Sequence, residues 1–214
     1  GRCPQEGGAP PFWPWTQILR SYAEKRSPEE VRETLGAAAA EIGQIAPELR
    51  DSLALPAVRP AAEAEVAQFR LFDAVAQFLK RAAQREPLVL IFEDVHEADK
   101  PSLALLGFVA REIPDARLLI VATHREIEPD DPRPAAEFLG EKGRSPRDLS
   151  IWLRGLDRTA VQDFVERRTG WNPGPDLVAA LHRTTGGNPF FLGALVSLNL
   201  ASGRLERARE AARQ

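Results

Sequence analysis

An acidic pair follows a short apolar run in the middle of the chain. Glu93 and Asp94 come directly after Leu88–Phe92, in which every residue is apolar. If this run is a strand of a parallel sheet, both carboxylates lie at its carboxyl end, where loops diverge and open a crevice for a ligand. Two carboxylates there can hold a magnesium ion through its waters and orient a water for nucleotide hydrolysis. The alternative is that one of them only caps a turn after the strand.

A basic residue follows the next run of the same kind. Residues 117–122 are followed by Thr123, His124 and Arg125. A guanidinium at the tip of a neighbouring strand can bind a terminal phosphate through two parallel hydrogen bonds. Its alternative is a surface ion pair, for instance with Glu126. The two runs together predict acidic and basic groups at the same edge of one sheet.

Other chemistries have less support. His96, Glu97 and Asp99 crowd the turn after the acidic pair, but the His-Glu-x-x-His helix of zinc hydrolases is absent. A Gly-x-Ser-x-Gly nucleophile elbow is absent as well. Cys3 has no histidine near it in the sequence to activate it. We therefore expect neither a dedicated transition-metal site nor a serine or cysteine nucleophile.

The elements that position these residues form a strand–helix–strand unit. We expect Asp99 to cap a helix that tolerates Pro101 in its first turn and that carries apolar residues at helical spacing as far as Ile113. The two strands then pair in parallel through a right-handed crossover. Their continuous apolar character predicts strands covered on both faces. The fold class is α/β, with a parallel sheet flanked by helices.

Upstream of these strands the sequence predicts mainly helices. Ser27-Pro28-Glu29-Glu30 combines an N-cap serine, a first-turn proline and a glutamate at the third position, which predicts a helix toward Ile42. Residues 63–84 have apolar side chains at helical spacing and predict a long buried helix. Prolines at positions 10, 11 and 14 argue against a helix before Thr16. The Pro-rich residues 47–60 predict a connector.

Downstream of the strands the pattern becomes helical. Residues 128–147 predict a surface excursion with a short helical turn, and residues 150–153 predict a third strand. Asp157 is the expected cap of one later helix, and Pro189 is the expected start of the last one. We expect the apolar residues Phe190, Phe191, Leu195 and Leu198 of that last helix to pack within the helical subdomain. We place a boundary near Gly155, with an α/β core over residues 1–155 and a small helical subdomain over residues 156–214.

The composition indicates a globular chain with little charge bias. Its 28 basic and 31 acidic residues leave a formal net charge of −3, which argues against a nucleic-acid-binding face. The sequence has neither an apolar run long enough to cross a membrane nor a signal-peptide pattern, so we expect a cytoplasmic protein. It contains no methionine, even at position 1. We therefore expect a segment of a longer polypeptide.

Three segments, in their order and spacing, resemble the ATPase domain of STAND-class proteins. This is an AAA-type ATPase family of large ATP-binding LuxR-type regulators and of cyclase- or kinase-linked sensors. The segments are residues 88–99, with Glu93-Asp94-Val95-His96-Glu97-Ala98-Asp99, residues 121–126, and residues 185–192, with Gly187-Asn188-Pro189. The resemblance spans nearly the whole chain and implies a P-loop NTPase-like parallel sheet with a C-terminal helical lid.

The resemblance implies a role for each matching residue. Glu93 and Asp94 match the Walker B acids, which bind magnesium through water and polarise the hydrolytic water. Arg125 matches a sensor arginine. Gly187 and Pro189 match the Gly-x-Pro motif of the lid, whose proline packs against adenine. The implied cofactors are ATP and Mg²⁺.

Two features depart from the family pattern. Glu97 stands where the family usually has tryptophan. The Walker A motif, Gly-x-x-x-x-Gly-Lys-[Ser/Thr], surrounds the phosphates with backbone N–H groups and a lysine, but no Gly-Lys dipeptide occurs in these 214 residues. We therefore expect a truncated core that lacks its P-loop and is inactive as the isolated chain.

The expected role is that of a nucleotide-controlled switch module in a bacterial signalling or transcription regulator. The expected partners are ATP or ADP in the full-length protein, the other domains of the polypeptide, and further copies of it. Direct binding of nucleic acid or membrane by this segment is not expected. The alternative is a non-catalytic scaffold that has no P-loop and serves only protein–protein contacts.

Overall fold

A computed structural model describes residues 1–4, 8–58, 60, 63–126, 133–141 and 148–202. The chain divides into two compact units, Gly1–Asp148 and Leu149–Gln214. The described helices of the first unit are α1 (Trp13–Ala23), α2 (Pro28–Leu35), α3 (Ala39–Ile45), α4 (Pro47–Leu53), α5 (Ala64–Arg85), α6 (Lys100–Glu112) and α7 (Pro134–Glu141). Within the described residues, none of the helices combines the length and the hydropathy that crossing a membrane requires.

The sheet of the first unit confirms the predicted parallel pair. Strand β1 (Leu88–Phe92) pairs in parallel with β2 (Leu118–Ala122), and Phe92 lies opposite Ala122 in the register. Helix α6 forms the crossover between them, as the strand–helix–strand pattern predicts. Among the described residues the sheet has these two strands only. Because the strands are parallel and in register, the residues that follow them lie next to each other.

The core lies on one face of this sheet. Leu90 and Phe92 of β1 are buried there, and the ring of Trp15 meets Phe92 edge-on at 4.9 Å between centroids. The expectation that β1 is covered on both faces is wrong for the described residues. Val89 and Ile91 are 59% and 49% exposed, because alternate side chains of a strand point to opposite faces and the second face has no described cover.

Two predicted helix starts are confirmed by their hydrogen bonds. The Ser27 side chain accepts from the Glu30 N–H while the Glu30 carboxylate accepts from the Ser27 N–H, which is a complete capping box. The Asp99 carboxylate accepts from the Ser102 N–H at 2.9 Å and begins α6. Each cap satisfies a backbone donor that the first turn of a helix leaves without a partner.

The helix that follows Ser27 is shorter than predicted. It ends at Leu35, because Gly36 adopts a positive φ of 49°, and α3 begins only at Ala39. The Arg81 guanidinium on α5 donates to the carbonyls of Thr34 and Leu35 at the end of α2. This contact from a distant helix satisfies carbonyls that the end of α2 leaves without a partner inside the helix, and the local sequence gives no sign of it.

Two proline-rich stretches are helical where a loop was predicted. Helix α1 begins at Trp13, before Thr16, since Pro14 lies in its first turn, where a missing N–H costs no hydrogen bond. Helix α4 begins at Pro47 for the same reason, so only the later part of residues 47–60 is a connector.

The predicted excursion over residues 128–147 contains the two-turn helix α7, and residues 127–132 and 142–147 lie outside the described residues.

The second unit contains three described helices, namely α8 (Arg158–Thr169), α9 (Pro175–Thr185) and α10 (Pro189–Ala201). Asp157 caps α8 as predicted, with its carboxylate accepting from the Ala160 N–H at 2.8 Å. The three helices bury a small apolar core of Val161, Val165, Val178, Leu181, Leu192 and Val196. The unit therefore has a hydrophobic centre of its own.

Two expectations for the second unit are wrong. Residues 150–153 form no strand, because a strand needs a hydrogen-bonded neighbour and the described residues provide none for them. On α10, Phe190, Phe191 and Leu198 do not pack inside the unit but are largely exposed. The core is reached instead by Leu192 and Val196, which lie four residues apart on one side of the helix.

Candidate functional site

The ends of the two strands are joined by hydrogen bonds. The Asp94 N–H donates to the Thr123 hydroxyl at 3.2 Å, and the Val95 N–H donates to the Thr123 carbonyl at 2.9 Å. The Thr123 N–H in turn donates to the Phe92 carbonyl at 2.9 Å. Thr123 therefore fixes the backbone that carries the acidic pair.

The acidic pair leaves the strand through an unusual backbone conformation. Asp94 adopts the left-handed region, with φ 57° and ψ 44°, which aspartate tolerates better than most residues. Its carboxylate lies 3.5 Å from the Arg2 guanidinium, and the Glu93 side chain is exposed. The reversal at Asp94 directs the chain into the 3₁₀ turn Val95–Glu97 and then toward α6.

The start of the chain lies along the other edge of β1. The Glu93 N–H donates to the Gly1 carbonyl and the Cys3 N–H donates to the Glu93 carbonyl, both at 2.9 Å, in parallel pairing. Cys3 is fully buried. Burial raises the pKa of its thiol to about 11, and the negative charge of Asp99 adds to the effect. The thiol is therefore protonated near neutral pH and is a poor nucleophile.

Arg125 lies at the tip of β2, beside the turn that follows the acidic pair. Its N–H donates to Nδ1 of His96 at 3.4 Å, and its carbonyl is bound by the side chain of His124 at 2.7 Å. The Arg125 backbone is thus in contact with the side chain of His96, two residues after Asp94. Among the described residues, no ion pair joins the Arg125 guanidinium to Glu93 or Asp94.

A comparison with protein-family models decides the family. The model of the AAA ATPase domain matches residues 1–121, which is more than half of the chain and includes both β1 and the acidic pair. The chain belongs to the AAA ATPase domain family. The match ends before Arg125, Gly187 and Pro189, so family membership by itself does not extend to those three residues.

A curated relative of this AAA ATPase domain is an uncharacterized protein of Rhizobium meliloti (strain 1021). It is 36% identical over 124 residues, which is 56% of this chain and 11% of the relative. The chain thus spans about a tenth of the length of that relative. No solved structure matches the chain.

The acidic pair of the AAA ATPase domain fits a magnesium ion bound through water. Both residues offer hard carboxylate oxygens, Glu93 is exposed and Asp94 is partly exposed. Among the described residues, no three His, Cys, Asp or Glu side chains are grouped so that they could enclose a metal ion by themselves. Proteins generally hold magnesium with one or two carboxylates, while waters and substrate phosphates complete the octahedron.

Gly187 and Pro189 lie in the second unit, at the start of α10. Gly187 is buried and has a positive φ of 73°, and a Cβ there would overlap the carbonyl oxygen of Leu156. The Leu156 N–H donates to the Gly187 carbonyl at 2.8 Å, so the two backbones touch. Pro189 occupies the first turn of α10, and its ring is exposed. Gly187 therefore has a packing role in this unit, while Pro189 is accessible to a ligand.

Sequence reasoning did not find two residues that shape the site. Arg2 pairs with Asp94 across the sheet edge, and Thr123 binds the Asp94 N–H. The parallel register gives a signal for Thr123, because the residue after β2 must lie opposite Glu93 once Phe92 pairs with Ala122. The sequence around Arg2 does not predict its contact with Asp94, because that contact depends on pairing with Glu93, about 90 residues away in sequence.

Proposed function

We propose that this chain is the ATP-handling part of a STAND-class switch in a larger bacterial signalling or transcription regulator. The observation that carries the proposal is the junction of the two strand ends. The acidic pair leaves β1 hydrogen-bonded to Thr123, and Arg125 follows two residues later. Acidic and basic groups held at neighbouring strand ends are suited to a nucleoside triphosphate and its magnesium ion.

The two acids have different roles in this proposal. Glu93, exposed at the strand end, binds magnesium through its waters. Asp94 accepts a hydrogen bond from the attacking water and polarises it. Asp94 suits this role because its backbone is fixed by the bond from its N–H to Thr123 and because its side chain is partly shielded. When the nucleotide is absent, Arg2 partly balances the charge of Asp94.

Arg125 and Pro189 have further roles in this proposal. The guanidinium of Arg125 binds the terminal phosphate and stabilises the charge that builds up on it during hydrolysis. Pro189 supplies an apolar contact for the adenine base. Hydrolysis then changes which surface the module offers to other domains or copies, as nucleotide switches do when the terminal phosphate is lost. The Gly-Lys cradle for the phosphates comes from outside these 214 residues.

A second candidate is a scaffold that binds proteins without using a nucleotide. The observation that favours it is the absence of any Gly-Lys dipeptide in the sequence. A P-loop surrounds the β- and γ-phosphates with backbone N–H groups and a lysine, and without it little affinity for a triphosphate remains.

The two candidates are separated by measuring ATP binding and turnover in two proteins. Titration calorimetry with Mg-ATP is carried out on the 214-residue chain and on the full-length protein that contains it. The switch predicts weak binding and no appreciable turnover for the short chain, but micromolar binding with turnover for the full-length protein. The scaffold predicts neither ATP binding nor ATP turnover in either protein. Micromolar binding by the short chain would contradict the proposal that the cradle lies elsewhere.

A further inference from the structure

Two imidazole rings bind the backbone N–H and carbonyl groups of Arg125. The Arg125 N–H donates to Nδ1 of His96 at 3.4 Å, and the Arg125 carbonyl lies 2.7 Å from Nδ1 of His124. His124 is the preceding residue, so its contact follows the backbone wherever the backbone goes. His96 belongs to the turn after β1, and its contact therefore fixes Arg125 relative to the other strand.

The hydrogen bond fixes the tautomer of His96. A backbone N–H can only donate, so Nδ1 of His96 must accept and the proton of the neutral ring lies on Nε2. Nε2 is buried and has no hydrogen-bond partner among the described residues, but it lies 3.5 Å from a carboxylate oxygen of Glu97. The carboxylate attracts the Nε2 proton and so favours the tautomer in which Nδ1 is a free acceptor.

The ring of His96 has little freedom to turn away from Arg125. Only 1% of His96 is exposed. The Glu97 carboxylate beside it is itself held by the Arg133 guanidinium at 3.0 Å. Two adjacent residues of one 3₁₀ turn thus bind residues 125 and 133, which lie near the two ends of the stretch between β2 and α7. Glu97 is also the position at which the chain departs from the resembled family.

We propose that His96 is a positioning residue for Arg125, acting through the hydrogen bond from the Arg125 N–H to its Nδ1 atom. The proposal rests on the function proposed above for the Arg125 guanidinium. His96 fixes the Cα of Arg125 at the strand tip and so limits the region that the long side chain can reach. Displacing a phosphate-binding group by about 1 Å can cost about a hundredfold in rate.

Three variants separate the hydrogen bond from the packing of the ring. His96→Asn places an amide oxygen near the position of Nδ1 and can still accept from Arg125. His96→Gln reaches toward the position of Nε2 and leaves no acceptor near Arg125. His96→Leu removes both polar atoms and keeps an apolar side chain. His182→Leu, on α9 of the second unit, is the control for the loss of a histidine elsewhere.

The first readout is hydrogen exchange of the Arg125 amide, measured by NMR on the 214-residue chain at pH 8. The proposal predicts that protection falls about three- to tenfold in His96→Gln and His96→Leu, the range expected when one hydrogen bond is removed, and is retained in His96→Asn and His182→Leu. Unchanged protection in His96→Leu overturns the proposal. So does an equal loss in all three His96 variants, which would mean that the ring acts only through packing.

The second readout is the rate of ATP hydrolysis at saturating ATP, together with ATP affinity, in the full-length protein. The proposal predicts at least a tenfold lower rate in His96→Gln and His96→Leu, rescue by His96→Asn, and an affinity within about twofold of wild type, since an arginine displaced at the terminal phosphate affects hydrolysis more than binding. If His96→Gln and His96→Leu lose protection of the Arg125 amide but keep the wild-type rate of ATP hydrolysis, the positioning role of His96 is overturned. A wild-type protein that hydrolyses no ATP overturns the proposed function instead, and the exchange pattern then decides the proposal alone.

Discussion

The hydroxyl of Thr123, which follows β2, accepts a hydrogen bond from the N–H of Asp94, which follows β1, at 3.2 Å. Asp94 has positive φ, a conformation that is less stable for most residues than the extended or helical regions. The hydrogen bond stabilises that conformation and so couples the direction of the Asp94 carboxylate to the end of the neighbouring strand.

Replacing the Thr123 hydroxyl should therefore loosen Asp94. We expect Thr123→Val, which keeps the shape of the side chain, to lower the free energy of unfolding by only about 0.5–1 kcal/mol, because the bond is exposed to solvent. We also expect it to speed hydrogen exchange of the Asp94 amide. Thr123→Ser keeps the acceptor and should resemble wild type. Urea unfolding and NMR exchange measure the two effects, and equal exchange in the Val and Ser variants would exclude the coupling.

Gly187 should tolerate no side chain, whatever its role toward a nucleotide. A Cβ there overlaps the Leu156 carbonyl oxygen and φ is 73°, whereas Gly170 has a similar φ of 75° with open space around it. We expect Gly170→Ala to cost about 1–2 kcal/mol from backbone strain alone. Gly187→Ala should cost about 1–3 kcal/mol more, because the backbones must also separate. Thermal unfolding of both variants compares them, and equal costs would mean that the close approach is absent.

The local part of this fold could be predicted from sequence, and the long-range part could not. The caps at Ser27 and Asp99 depend on residues three positions apart, so the pattern alone located two helix starts. The break at Gly36 escaped prediction because it coincides with contacts from Arg81, some 45 residues away in sequence. The predictions at Trp13 and Pro47 were wrong because a first-turn proline begins a helix as readily as it ends one.

In the candidate site, too, the local features could be predicted from sequence and most of the long-range contacts could not. The positions of Glu93, Asp94 and Arg125 at strand ends follow from two apolar runs and the parallel rule, and the structure places them there. The contacts from Arg2 and His96 cannot be derived from spacing, whereas the parallel register gives a signal for Thr123. The functional roles of the site residues and of Pro189 remain predictions.

The buried thiol of Cys3 should make stability depend on pH in the alkaline range. Its pKa is about 11 in the folded chain against an ordinary value of 9.0, so the folded state binds more protons between these two values. The contribution is complete below about pH 9 and is lost as the pH rises toward 11. Urea unfolding from pH 8 to 11 should show a steeper decline for wild type than for Cys3→Ala. Parallel declines would contradict the raised pKa.

Pro189 should matter for nucleotide binding more than for folding. In the full-length protein we expect Pro189→Ala to weaken ATP binding by about 1–2 kcal/mol, the scale of the apolar surface that the proline ring would cover on the base. Pro175 occupies the equivalent first-turn position of α9, so Pro175→Ala is the matched control and should leave ATP affinity unchanged. Calorimetric titration compares the two variants. Equal affinities would leave Pro189 with the role of a helix start only.

The central claim is that Asp94 polarises the hydrolytic water, and Asp94→Asn in the full-length protein tests it most directly. Asparagine adopts the left-handed conformation as readily as aspartate and keeps the N–H that binds Thr123, so the backbone is preserved while the negative charge is removed. ATP affinity and the rate of hydrolysis at saturating ATP are measured on the same preparation. The water-polarising role of Asp94 predicts that the rate falls by at least about a hundredfold, while affinity changes by less than about threefold. An unchanged rate, or an equal loss of affinity and rate, would contradict it.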